Sequence, residues 1–235
     1  MNKKLLKICA VVWGVSGLVI LVSVLYPIAS YEVKARERYP SLISPIVNNE
    51  EAEEVPENVD YTKASNWFPT ATNTKDIVSK VSYYTISIPA LGIENATVKI
   101  GGEDLSESLI QYPGTANPGK VGNSVIFGHS ILPIFYDPEN YLAIFSTLDK
   151  LREGDNFYVN YDGISYKYTV EEMFEVKPTD IWILEQNVGS SNLSLVTCTP
   201  PGDPRKPKRL VVRSRLVPST RPTNLPKQAD ANIVN

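Results

Sequence analysis

The chain has one histidine, two cysteines and two methionines in 235 residues. With a single imidazole, no His and Cys set can be assembled at zinc-ligand spacing, and no Cys/His/Asp cluster suggests another metal. A functional metal is not expected, although acidic loops can hold calcium weakly, and nothing calls for a cofactor. The chain also lacks an excess of charge. Its 23 Lys and Arg stand against 26 Asp and Glu, a net −3, and the basic residues are spread along the sequence. There is no positive field of the kind nucleic acid requires. A phosphate loop is missing too. Gly114-Thr-Ala-Asn-Pro-Gly119-Lys120-Val121 falls one residue short of that pattern, and Val121 has no hydroxyl for magnesium while Pro118 has no N–H for a phosphate. The length suits one domain of about 100–200 residues with an anchor and linkers, and leaves little room for a second.

One long hydrophobic run is present. Residues 8–29 carry no charge, and at about 1.5 Å of rise per residue they span the roughly 30 Å hydrocarbon core of a bilayer. Lys3, Lys4 and Lys7 precede the run, so the positive-inside rule predicts a cytoplasmic N-terminus and an extracellular remainder. A cleaved signal peptide is the competing reading, with Ala29-Ser30 as a cleavage site. Its apolar region should cover only about 7–15 residues, however, and this run is longer. The expectation is a single-pass protein of the cell membrane. Cys9 falls within the run, which leaves Cys198 as the one exported thiol. An internal disulfide is then excluded, and Cys198 is a buried inert residue, an intermolecular link or a reactive thiol.

Composition divides the rest. Residues 1–30 form the cytoplasmic start and anchor. Residues 31–80 mix charge, Pro, Ser and Asn, with Glu50, Glu51, Glu53, Glu54, Glu57 and Asp60 crowded together, and such a segment buries too little apolar surface to fold alone. It reads as a linker whose coil of about 50 residues reaches on the order of 40 Å, holding a domain clear of the membrane. Asn66-Trp67-Phe68-Pro69 interrupts it and is apolar enough to dock, on the domain flank or as a lid over a cleft. From 81 to 217 the sequence turns to short apolar or alternating runs separated by turn residues, which predicts a mostly β domain. Strands are expected over 82–93, 96–100, 124–129, 156–161, 165–176, 192–198 and 209–217. Asp162-Gly163 signals a type I′ hairpin. Asp137 and Pro138 signal a helix running through Tyr141, Phe145 and Leu148. A closed or nearly closed barrel accommodates these strands, and the tail over 218–235 is expected to be disordered.

Three residues stand out as candidates for chemistry. His129 ends the run Ser-Val-Ile-Phe-Gly-His, where period-two alternation puts Val125, Phe127 and His129 on one face. Alone, such a histidine reads as structural. Together with Cys198 it makes a nucleophile and a general acid/base. Cys198 ends the run Leu-Ser-Leu-Val-Thr-Cys just before Thr199-Pro200-Pro201-Gly202, which places a thiol at the mouth of a strand. Arg209 opens Arg-Leu-Val-Val-Arg-Ser-Arg-Leu-Val. If Leu210, Val212 and Leu216 face the core, then Arg209, Val211, Arg213 and Arg215 face outward. Sequential strands usually pair, so Arg209 can lie beside the thiol and stabilise a thiolate or an oxyanion. A solvated surface role is the expectation for Arg213 and Arg215.

These motifs together resemble the sortase family. The stretch from Tyr112 to His129 resembles that family's glycine-rich approach to its histidine, Leu195-Val-Thr-Cys198 resembles its Thr-Leu-x-Thr-Cys signature, and Arg209-Leu-Val-Val resembles its arginine strand. The resemblance covers about 82–217, and the motifs fall in the family's order. Two departures are Val196 before Thr197 and a long Cys–Arg loop holding Pro200, Pro201, Pro204 and Pro207. The resemblance implies an eight-stranded sortase barrel with short helices, preceded by one transmembrane helix. It implies a two-step acyl transfer in which Cys198 attacks a Leu-Pro-x-Thr-Gly-like signal, Arg209 steadies the oxyanion and His129 protonates the leaving amine. Thr197, beside the thiol, is assigned to substrate binding. The implied partners are the sorting-signal peptide of surface proteins, an amine acceptor on cell wall or pilin, and the lipid bilayer. A surface cysteine peptidase and a non-catalytic peptide-binding barrel remain alternatives.

Overall fold

In the computed structural model, residues 3–39, 60–68, 81–186, 189–205 and 207–218 are described. Eight strands close a barrel in the order β1-β2-β3-β4-β7-β8-β6-β5. They are β1 Tyr83–Ile88, β2 Ile93–Ile100, β3 Leu109–Gln111, β4 Gly122–Phe127, β5 Asn156–Tyr161, β6 Ile164–Val176, β7 Ser191–Thr199 and β8 Lys208–Leu216. Alternation along the strands explains which side chains fill the interior, since residues two apart share a face. Ile86, Val98, Leu109, Ile126, Val159, Val170, Leu195 and Val212, one from each strand, are buried there. A second apolar cluster lies on the outer face of β3, β4, β7, β8 and β6, holding Ile110, Val125, Phe127, Val196, Cys198, Val211 and Phe174.

The expected hairpin forms, with Asp162 at φ 51° and Gly163 at φ 73°, the two positive values a type I′ turn requires. Elsewhere the structure departs from the sequence reading for local reasons. The run 82–93 is broken by a 3-10 turn at Pro89–Leu91, where proline lacks the N–H a ladder needs, so β1 and β2 become neighbours in an antiparallel pair. The three-residue β3 carries too little pattern to be seen in sequence. The helix expected after Asp137 is absent, and turns lead to a 3-10 segment at Leu148–Lys150. Asp137 accepts from the N–H of Glu139 at 3.0 Å and Asn140 from that of Leu142 at 3.0 Å, and these local bonds compete with helix.

The largest difference lies before the barrel. Helix α1 spans Lys3–Arg38 and is long and apolar enough from Cys9 onward to cross a membrane. It does not end with the apolar run but continues through residues the sequence assigns to the linker. Tyr31, Ala35 and Tyr39 are buried, and their four-residue spacing is one face of a helix. Arg38 donates to the carbonyls of Asp149 and Leu151, and the Tyr31 hydroxyl donates to Glu175 Oε1 at 3.0 Å. The barrel is thus seated on the end of the helix. Most of the linker reading, over 40–59 and 69–80, and the tail from 219 lie outside the described residues.

Gly128 sits where β4 leaves the sheet, and a Cβ there would meet Phe145 Cδ2 at 2.3 Å and Leu109 Cδ2 at 2.7 Å. Overpacking of this kind typically costs about 1–3 kcal/mol. Gly128→Ala should lower the urea unfolding midpoint of the full chain accordingly. An unchanged midpoint would mean that the close packing under this turn is not rigid.

Candidate active site

Strand β7 runs between β4 and β8, and the two pairings bring the sequence candidates together. In the antiparallel β7–β8 ladder Cys198 is directly opposite Arg209, and side chains so paired leave one face with Cβ atoms about 4.5–5.5 Å apart. In the parallel β4–β7 ladder Phe127 is opposite Val196. The chain keeps that register one step further, since Gly128 N–H donates to the Val196 carbonyl at 3.1 Å. Cys198 and Arg209 thus share the outer face of β7 and β8, and His129 follows directly on the end of β4, in the turn bonded to the backbone of β7. His129 is 6%, Cys198 1% and Arg209 0% exposed.

Two hydroxyls fix the turn that presents the histidine. Thr197 Oγ1 donates to the Gly128 carbonyl at 2.8 Å, and Ser130 Oγ donates to the Cys198 carbonyl at 2.7 Å. Thr197 is buried, with its hydroxyl committed to this bond. Ser130 is a site residue the sequence reading did not single out, because a serine after a histidine has no distinguishing pattern.

A cover lies over the outer face. Residues Ala64–Trp67 form a 3-10 turn whose Trp67 ring stacks on Phe127 with centroids 5.1 Å apart. Phe68 packs on the same ring at 5.8 Å. Arg209 Nη2 donates to the Trp67 carbonyl at 3.3 Å, and its guanidinium lies 5.3 Å from the Tyr61 ring centroid and 5.4 Å from that of Trp67. A guanidinium at such a distance over aromatic faces is held by cation–π attraction. Trp67 and Phe68 of the segment Asn66-Trp67-Phe68-Pro69 dock on Phe127 and Arg209 of the outer face, and Pro69 lies outside the described residues.

The other arginines near the site are engaged elsewhere. Arg205 is bound to Asp203 through Nε at 3.0 Å and Nη2 at 2.6 Å, with its side chain 78% exposed, and these bonds hold the Asp203 carboxyl below its usual range. Arg213 pairs with Glu172 at 2.9 Å and lies over Phe174, while Arg215 pairs with Glu171 at 2.9 Å. Next to Arg209, Lys208 lies 2.9 Å from Glu175 and 3.6 Å from Glu32 of α1. Burial works against the lysine's charge, but the two carboxylates outweigh it and raise its pKa. Among the described residues no group of three or more His, Cys, Asp and Glu is placed to hold a metal.

A thiol flanked by an imidazole and a fixed cation is equipped for nucleophilic attack on a carbonyl, with proton transfer on one side and stabilisation of negative charge on the other. A family model described as Sortase domain matches residues 86–217. Sortase A of Streptococcus agalactiae is 26% identical over 132 residues, covering 56% of this chain and 48% of that protein. Sortase A of Staphylococcus aureus is 28% identical over 117 residues, covering 43% and 53%. The chain thus spans about half the length of the curated relatives it matches. Among solved structures, a pilus-related sortase C of Group B Streptococcus superposes with a TM-score of 0.52 at 28% identity, over 65% of this chain and 79% of that one. The complex of Streptococcus agalactiae sortase C1 with MTSET gives 0.51 at 25% identity, over 61% and 73%.

The cover makes the thiol's accessibility testable. Loss of an aromatic stack removes about 0.5–1.5 kcal/mol beyond area burial, so Trp67→Ala in a Cys9→Ala background should speed alkylation of Cys198 by iodoacetamide roughly two- to tenfold. A rate equal to that of the parent would show that Trp67 does not limit access.

Proposed function

The chain belongs to the sortase family, and from that membership we propose that it is a membrane-anchored cysteine transpeptidase acting on the outer cell surface. It cleaves a Leu-Pro-x-Thr-Gly-like sorting signal and transfers the acyl fragment to an amine on a cell-wall or pilin acceptor. The observation that carries this reading is the pairing of Cys198 with Arg209 across β7 and β8, with His129 in the turn that follows β4 on the other side of β7. In this reading residues 1–30 are the anchor, 31–80 a linker that includes a lid, 81–217 the catalytic domain and 218–235 a tail. Lys3, Lys4 and Lys7 keep the N-terminus in the cytoplasm.

The reaction follows from these three residues. Cys198 Sγ attacks the threonine carbonyl carbon as its proton passes to His129, and the developing oxyanion takes hydrogen bonds from the Arg209 guanidinium, whose planar fork of donors suits it. Collapse breaks the Thr–Gly C–N bond, with His129 donating a proton to the leaving glycine amine. The fragment remains as a thioester on Cys198. An incoming amine attacks that carbonyl, its proton passes to His129, and the sulfur leaves to complete the new amide. Thr197, assigned to substrate binding, also holds the turn that carries His129 through its bond to the Gly128 carbonyl. The segment 60–68 has to lift before peptide enters, because Arg209 is committed to the Trp67 carbonyl while it is down. Once peptide is bound, exclusion of water over the thioester favours the amine over hydrolysis.

Cys198→Ala should abolish both cleavage and transfer, and the wild-type product should carry the added amine as a new amide. Free acid as the sole product, with a suitable amine present, would instead assign a hydrolase. Among the arginines, Arg209→Ala should reduce turnover about 100- to 1000-fold, as loss of an oxyanion donor does. Arg209→Lys should recover only part of it, whereas Arg205→Ala, Arg213→Ala and Arg215→Ala should stay near wild type. A hundredfold loss in Arg205→Ala with a near-normal Arg209→Ala would move the electrostatic role into the long loop.

A further inference from the structure

The loop leaving His129 carries no charge from Ile131 to Tyr136, and its 3-10 turn at Pro133–Phe135 points two large apolar side chains into solvent. Ile134 is 74% and Phe135 63% exposed. Among the described barrel residues they are the only sequence neighbours in the set of exposed large hydrophobics. The turn is tied in place by Phe135 N–H to the Leu132 carbonyl at 2.9 Å and Tyr136 N–H to the Pro133 carbonyl at 3.2 Å. The Tyr136 hydroxyl donates to the Leu91 carbonyl. The pair therefore stands out from a braced loop.

What it stands beside is the membrane helix. Pro133 lines a cavity of about 200 Å³ together with Pro27, Lys34 and Arg38 of α1, Asp149, and Pro201 of the loop after Cys198. Pro27 lies two residues inside the end of the uncharged run, about 3 Å below the hydrocarbon edge for a helix along the bilayer normal. Lys34 and Arg38 come about 7 Å and 13 Å beyond that edge, in and just above the headgroup layer, where cations meet lipid phosphates. Asp149 opposes them with one negative charge, and Arg38 already faces it. Loop and helix thus share a depth, with apolar groups at the hydrocarbon boundary and cations above.

We propose that the turn Pro133–Phe135 is a second membrane contact, with Ile134 and Phe135 entering the bilayer interface beside α1. The cleft then opens at the membrane surface toward a peptide tethered in the same bilayer. This rests on the reading of α1 as a spanning helix and of Cys198, His129 and Arg209 as a transpeptidase site. Leu132 links the contact to the chemistry, because it packs against Gly202 so closely that a Cβ there would fall 2.6 Å from its Cδ2. The loops following His129 and Cys198 are in this way braced on one another.

Spin-label accessibility tests the contact in the full chain, carrying Cys9→Ser and Cys198→Ala, reconstituted in phosphatidylcholine–phosphatidylglycerol vesicles. Labels at Ile134→Cys and Phe135→Cys should collide more with oxygen than with a water-soluble nickel chelate. A label at Ile164→Cys, at the far end of β6 by roughly 35 Å of strand from Glu175, should show the reverse. Val19→Cys, mid-helix, reports the premise, and an aqueous signal there overturns the spanning helix and this proposal with it. Lipid at Val19→Cys with water at Ile134→Cys overturns the loop contact alone, and so does shielding of Ile134→Cys from both reagents, which would mean a protein partner. In the otherwise wild-type chain, Ile134→Ser with Phe135→Ser should lose turnover on a lipid-anchored peptide while keeping it on the free peptide. Equal loss on both overturns the tethered-substrate part.

Discussion

The pairing of β7 with β4 on one side and β8 on the other is the constraint from which the site follows. One neighbour is remote and one is next in the chain: β4 lies about seventy residues back and runs parallel to β7, and β8 returns antiparallel after a proline-rich loop. A slip of one residue in either ladder would send the shifted side chain to the other face, leaving Cys198 without Arg209 or without His129. Register is held by burial on both faces of these strands. Leu193, Leu195, Leu210 and Val212 fill the barrel, while Val196 and Val211 belong to the outer cluster.

That register has an electrostatic consequence. It puts a guanidinium with no measurable exposure into the outer apolar cluster, and a charge withdrawn from water is tolerated only where polar groups replace the solvent. The backbone supplies some of this, through the carbonyls of Lys208 and Trp67, and the rings of Tyr61 and Trp67 supply more. Three of these four groups arrive on a segment outside the barrel, so the solvation of Arg209 depends on how that segment is docked. A bound peptide whose carbonyls replace that of Trp67 would take over the solvating role.

A second coupling runs to α1. Lys208, one residue before Arg209, is bracketed by Glu175 of β6 and Glu32 of α1, and Glu175 also receives the Tyr31 hydroxyl. The start of the arginine strand is therefore tied to the end of the long N-terminal helix, through partly buried groups that salt screens less than exposed ones.

Much of the protein was legible in one dimension. Cys198, His129 and Arg209 could be picked out because each ends or opens a strand-like run, and the uncharged stretch over 8–29 marked a helix, which runs from Lys3 to Arg38. Alternation sorted the two faces of β4 and β8, since a period of two needs no partner to be read. Local sequence did not decide which strands would be neighbours, that three residues would make β3, or that Asx turns at Asp137 and Asn140 would displace a helix. Nor did it show that Tyr31, Ala35 and Tyr39 form a docking stripe, because the charges between them mask a spacing that matters only once a barrel is present to receive it. The linker's Trp67 was visible as an apolar interruption, yet its stack on Phe127 exists only when β4 has folded. Sequence determined the chemical groups and their strand faces, which depend on nearest neighbours along the chain. Tertiary structure decided their company, because the barrel's pairing sets Cys198 opposite Arg209 and brings the turn that carries His129, about seventy residues back, beside β7, and no local preference encodes that distance.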